Sequence, residues 1–179
     1  MLKKVAISMT VERYGVSASL FDELADAPEM SEVNPSLLDV APNEDGTVDE
    51  PEQTEMFTTG RLRLTDDEFS LTYEESALTG MEGTQSQLSF RRGEQGLITM
   101  LRTGAVKTAL VFEKGKRHIC VYQTPYMPFE VCVLTLNVDN RLLDEDGKAN
   151  GTLELDYVVE IHGARAERCR MKLDIREMS

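Results

Sequence analysis

The sequence predicts an all-β protein, an antiparallel up-and-down β-barrel interrupted by a long acidic insert. Three observations carry this. Apolar and polar residues alternate at period two through most of the chain, the mark of strands with one dry and one wet face. Short polar turns separate the alternating runs. The charge is segregated: between Tyr14 and Glu55 there are twelve carboxylates and no Lys or Arg. The 179-residue chain has a net charge of −13, so the 137 residues outside that stretch carry only −1. One balanced globular domain is therefore expected over about 3–13 and 55–177, with 14–54 as an acidic insert.

The first strand is expected over 3–13, where Val5, Ile7, Met9 and Val11 alternate with Lys4, Ser8, Thr10 and Glu12. The insert follows. It holds Pro28, Pro35, Pro42 and Pro51 and few β-branched residues, a composition too charged to offset its ordering entropy, so it is expected to be mobile. Within it, Ser19 is placed to cap a short helix whose first turn holds Asp22 and Glu23. Strands are then expected over 55–65 and 69–76, the second with Phe69, Leu71 and Tyr73 on one face. Further strands are expected over 82–91, 97–103, 108–114, 117–124, 128–138 and 139–144. The last two lie over 152–162 and 166–177, each alternating throughout. Asp66-Asp67, Arg92-Gly93-Glu94, Lys114-Gly115-Lys116, Asp146-Gly147 and Gly163-Ala164 supply turns. Many short antiparallel strands joined this way form a sandwich or a barrel, and closure into a barrel removes exposed edges.

Bulk chemistry narrows the function classes. The acidic balance disfavours nucleic acid, whose phosphates need a basic surface. No apolar run reaches the roughly 20 residues of a membrane-spanning helix. The first ten residues are too short and too polar for the apolar core of a signal peptide. Cys120, Cys132 and Cys169 are odd in number and show no C-x-x-C spacing, as expected of buried thiols in a reducing compartment. A cytoplasmic protein is expected.

The run Tyr73-Glu74-Glu75-Ser76-Ala77-Leu78-Thr79-Gly80-Met81-Glu82-Gly83-Thr84 has a recognisable character. So do Arg102-Thr103-Gly104-Ala105-Val106, Val111-Phe112-Glu113-Lys114-Gly115-Lys116-Arg117-His118 and Tyr122-Gln123-Thr124-Pro125-Tyr126. In order and spacing these resemble the YwiB-like family of small bacterial proteins of unknown function. The resemblance covers nearly all of 3–13 and 55–177. It implies a calycin-type, lipocalin-like barrel and supplies neither a reaction nor catalytic residues.

Successive connections of an up-and-down barrel alternate between its two ends. The insert, 76–82, 104–107 and 124–128 therefore share one end, the rim, while 66–68, 92–96 and 114–116 are plain turns at the other. Varied loops over a rigid scaffold, at a barrel mouth, are where small-ligand sites occur. Apolar parity turns Tyr73, Glu75, Thr84 and Ser86 inward near the rim; Arg102 joins them if Ile98 and Met100 of the ambiguous strand 97–103 point in, and Tyr122 does on one of the two parities of 117–124, with Tyr126 on a rim loop. These seven residues are the candidate ligand-binding set. Three readings of Glu75 and Arg102 compete: a structural ion pair plugging the barrel, an Arg that receives an anionic ligand group, or one or both side chains pointing outward.

No residues stand out as catalytic. His118 falls at the far end, and His162, on the parity of Glu160, faces solvent. The adjacent Glu74 and Glu75 point to opposite faces and cannot form a glycosidase pair. With two histidines there is no metal site, and no cofactor is expected. The expected function is non-enzymatic binding of a small ligand at the rim, with the insert as a cover. The alternative is an interaction module whose insert, 14–54, docks a basic protein partner, with no nucleic acid or membrane involved.

Overall fold

A computed structural model describes residues 1–23 and 29–179. Ten antiparallel strands form one sheet that curls into a nearly closed barrel. The strands are β1 (Leu2–Val16), β2 (Glu52–Leu64), β3 (Glu68–Glu74), β4 (Thr84–Arg91) and β5 (Leu97–Gly104). They continue as β6 (Thr108–Glu113), β7 (Arg117–Gln123), β8 (Pro128–Arg141), β9 (Gly151–Ile161) and β10 (Ala166–Glu177). Strands next to one another in the chain pair, except β6 and β7, and β1 pairs with β10, so β6 and β7 carry the two edges of the sheet. They meet through a hydrogen-bonded pair at Lys107 and Gln123 and through the tight turn after Glu113.

Alternation builds this wall. Val5, Ile7, Met9 and Val11 of β1, Leu71 and Tyr73 of β3, and Leu153 and Leu155 of β9 point into one core. Phe69 and Phe90, directly opposite across β3 and β4, stack with centroids 4.6 Å apart. The stretch 139–144 is not a strand of its own. β8 runs on to Arg141 through an irregularity between Thr135 and Asn137. The chain then leaves the sheet at Leu142, which is fully buried with Ala149 at the end opposite the rim.

The described residues of the insert around 20–23 and 29–33 lie on the outer wall and not over the rim, unlike the expected cover. Its ends do leave from the rim, where Val16 bridges Val40 and Ala41 N–H donates to the Gly15 carbonyl. In between it runs down the outside of the wall. Leu20 and Val33 are buried against the outward residues Cys132 and Leu134 of β8, Val158 of β9 and Ala166 of β10. It reaches the far end, where Met30 N–H donates to the Gly115 carbonyl and Glu29 pairs with Lys116 at 2.9 Å. Consequently Val131, Cys132, Val133, Leu134 and Thr135 are all buried, alternately by the barrel core and by the insert.

A short helix, α1 (Leu20–Glu23), forms after Ser19 as expected, but its partner differs. The N–H groups of Leu20 and Phe21 donate to the Glu160 carboxylate, the second at 3.2 Å, while Ser19 Oγ donates to Asp22. Glu160 points outward, as its parity requires, yet it is buried, because the insert covers it. His162 is exposed and packs edge-on to Phe21.

Candidate functional site

The rim end of the barrel interior is polar because four adjacent strands place polar residues in one inward row. Tyr73 of β3 lies opposite Ser86 of β4, Ser86 opposite Arg102 of β5, and Arg102 opposite Thr108 of β6. One step nearer the rim, Glu75 follows β3, and its N–H donates to the Thr84 carbonyl. Thr84 Oγ1 in turn accepts the Val106 N–H at 3.2 Å, tying two rim loops together. Gly104, opposite Thr84, has φ 117°, a conformation open to glycine, and the Gly83 carbonyl packs where a side chain would stand.

Glu75 is the centre of the cluster, its side chain only 2% exposed. Ser86 Oγ donates to one carboxylate oxygen at 2.5 Å, and Thr79 Oγ1 donates to the other at 2.9 Å. Arg102 Nε stands 3.8 Å from the first oxygen, close enough for ionic attraction but beyond a hydrogen bond. Arg102 Nη1 donates to the Tyr122 hydroxyl at 2.7 Å. That bond links β5 to β7 past β6, across the seam where the backbone ladder is interrupted, so Arg102 clasps the barrel from inside.

Electrostatics fixes the charge states. Burial works against the Arg102 charge, but Tyr122, Tyr157, Glu75 and Tyr73 around it together raise its pKa. Burial pushes the hydroxyls of Tyr73, Tyr122 and Tyr157 above the usual phenol range; for Tyr73 the Glu75 charge adds to it. Cys120, on the inward face of β7, is raised by burial as well. The site is therefore a fixed cation beside a hydrogen-bonded carboxylate, ringed by neutral phenols and hydroxyls. Ser86, fully buried and donating to Glu75, has no access to a substrate and is not placed as a nucleophile. Among the described residues, no group of three or more His, Cys, Asp or Glu side chains is arranged to hold a metal ion.

Six of the seven expected residues thus come together: Tyr73, Glu75, Thr84, Ser86, Arg102 and Tyr122. Tyr126 does not join them. It is 95% exposed at the tip of the loop after β7, where Thr124 Oγ1 accepts the Tyr126 and Met127 N–H groups and holds the turn. Two participants escape sequence reasoning. Thr79 reaches Glu75 from a 3-10 turn, Ala77–Thr79, for which local alternation gives no sign. Tyr157 alternates inward as expected, but only the curl of the sheet brings β9 near Arg102.

A family model described as a domain of unknown function (DUF1934) matches residues 42–173. The chain belongs to that family. The match takes in the whole polar cluster and most of the barrel. Among solved structures, the crystal structure of the ywiB protein from Bacillus subtilis is similar over 97% of this chain and 92% of that one. The two are 15% identical with a TM-score of 0.59, a likeness of fold. The family resemblance read from Tyr73–Thr84 and Arg102–Tyr126 and the calycin-like barrel it implied therefore stand. No curated relative matches the chain.

Proposed function

We propose that this barrel is a non-enzymatic binding protein that takes a small ligand at its rim. The ligand presents one anionic or strongly accepting group to Arg102. The observation that carries the reading is Arg102 Nε, which is buried without a hydrogen-bond acceptor although it points toward Glu75. A buried guanidinium donor left unmatched is expensive and calls for a partner. Tyr122 accepts from Arg102 and still has its own proton to donate to a ligand. Leu142 and Ala149 are fully buried at the far end of the barrel, which favours an approach from the rim.

Native mass spectrometry of freshly purified protein tests this. The expected result is a bound small molecule, lost in Arg102→Met while circular dichroism stays that of a β-barrel. A wild-type protein that carries nothing, and gains no thermal stability across a screen of small organic anions, defeats the reading. The second reading, an acidic insert that docks a basic partner, is favoured by the exposure of Asp39, Glu44, Asp45, Asp49 and Glu50. Titration with polylysine separates the two, because exposed attractions vanish with salt whereas contacts to Arg102 inside the barrel do not.

A further inference from the structure

Among the described residues, the insert covers the outer wall over β8 to β10 and meets the β6–β7 turn at Glu29 and Met30, leaving outward residues of β5 to β7 exposed. The exposed part is apolar. Leu97 and Leu101 of β5 are 38% and 42% exposed, and Ile119 and Val121 of β7 are 54% and 46% exposed. Between them lie the outward residues Ala109 and Val111 of β6, with Leu101 opposite Ala109 and Thr99 opposite Val111. The Lys107–Gln123 pair sets the β6–β7 register, so Ala109 faces Val121 and Val111 faces Ile119. Six apolar side chains thus form one contiguous face on three strands. The face borders the covered strip directly, since Ile119 lies opposite Cys132. It also contains both edges of the sheet, where exposed backbone and apolar side chains together favour association.

We propose that this face is an interface between two copies of the chain, related by a two-fold axis. The charges at its margins select that occupant. The outer side of β6 carries Lys107 at the rim end and Glu113 at the other end. Beside them stand Glu130, opposite Val121, and Lys114. A margin with both signs is complementary to itself: an antiparallel copy sets Lys107 against Glu113 of its mate, twice over. Among the described residues, the insert's buried apolar side chains lie on the β8–β10 side, and Glu29 and Met30 touch only the turn at one end of the face.

Sedimentation of the full chain over a range up to about 200 μM, spanning ordinary dimer affinities, is the test. The expected result is a reversible dimer that Ile119→Lys or Leu101→Lys weakens by at least about 100-fold, or about 2.7 kcal/mol. Circular dichroism and thermal melting establish that each variant is folded. Leu101→Lys lies outside the seam and serves if Ile119→Lys fails to fold. Lys107→Cys mixed with Glu113→Cys should give a cross-linked heterodimer under mild oxidation. A wild-type monomer throughout the range overturns the proposal. So does a dimer that both lysine variants leave intact, or one that yields no Lys107→Cys to Glu113→Cys cross-link.

Discussion

Replacing Arg102 with alanine removes the cation beside Glu75 and the clasp on Tyr122 in one step. The Glu75 side chain, 2% exposed, cannot turn to water. Breaking a buried ion pair from one side costs about 3–5 kcal/mol, because a charge is left without compensation. Here the carboxylate keeps two hydroxyl donors, Ser86 and Thr79, and its 3.8 Å contact with Nε is not a hydrogen bond. Those facts push the ionic part to the low end. The charged hydrogen bond to Tyr122, 2.7 Å long, adds to it at a typical worth of about 1.5–3 kcal/mol. A total of about 4.5–6 kcal/mol is expected, a fall in Tm of about 9–24 °C for a chain of this size. Urea unfolding followed by circular dichroism reads the loss directly as a lower midpoint at unchanged slope. Glu75→Gln added to Arg102→Ala should recover a large share, since the stranded charge is gone, one hydroxyl keeps the amide oxygen as acceptor and the other can turn to accept from the amide NH2. A loss below about 1 kcal/mol would refute the reasoning, because that is the range of solvent-exposed pairs. Failure of Glu75→Gln to recover any stability would refute the ionic part alone.

Two further outcomes follow from the outer wall and the buried thiols. Glu160→Ala removes the acceptor of the Leu20 and Phe21 N–H groups, so the insert should loosen and expose Cys132, which is fully buried in the native protein. The check is the rate at which a thiol reagent modifies Cys132, expected to rise at least tenfold with the barrel still folded; an unchanged rate means the apolar contacts hold the insert alone. Burial pushes Cys132 from an ordinary 9.0 up to about 12 and Cys169 up to about 11. Raised acids keep their protons in the folded state and release them in the unfolded one, so stability is full below about pH 9 and falls as pH rises toward 11–12. Stability measured from pH 8 to 11 should show this decline, and Cys132→Val should flatten it; a profile identical in wild type and Cys132→Val speaks against the thiol as its source.

The sequence by itself determined the period-two strands, the turns between them, and hence which connections share the rim. It also placed Tyr73, Glu75, Thr84 and Ser86 inside, because a residue's face in a strand follows from parity; the parity of 97–103 and 117–124 stayed open, and the structure decides that Arg102 and Tyr122 turn inward. Parity says nothing of what lies over a face. Cys132, Val158 and Glu160 point outward as their positions require, yet they are buried, because apolar residues of the insert settle on them from far away in the chain. The charge of that insert predicted its solvation well enough to hide its few apolar residues, which need only a matching strip on the wall. Tyr126, read from its neighbours in sequence as part of the site, stands in solvent because the tight turn at Thr124 points it away. Where β6 meets β7, and therefore that Arg102 must reach Tyr122 across a gap in the ladder, depends on how ten strands curl, and no local pattern records it. Such contacts join residues whose only relation is the closed shape of the sheet. Tertiary structure alone decided them.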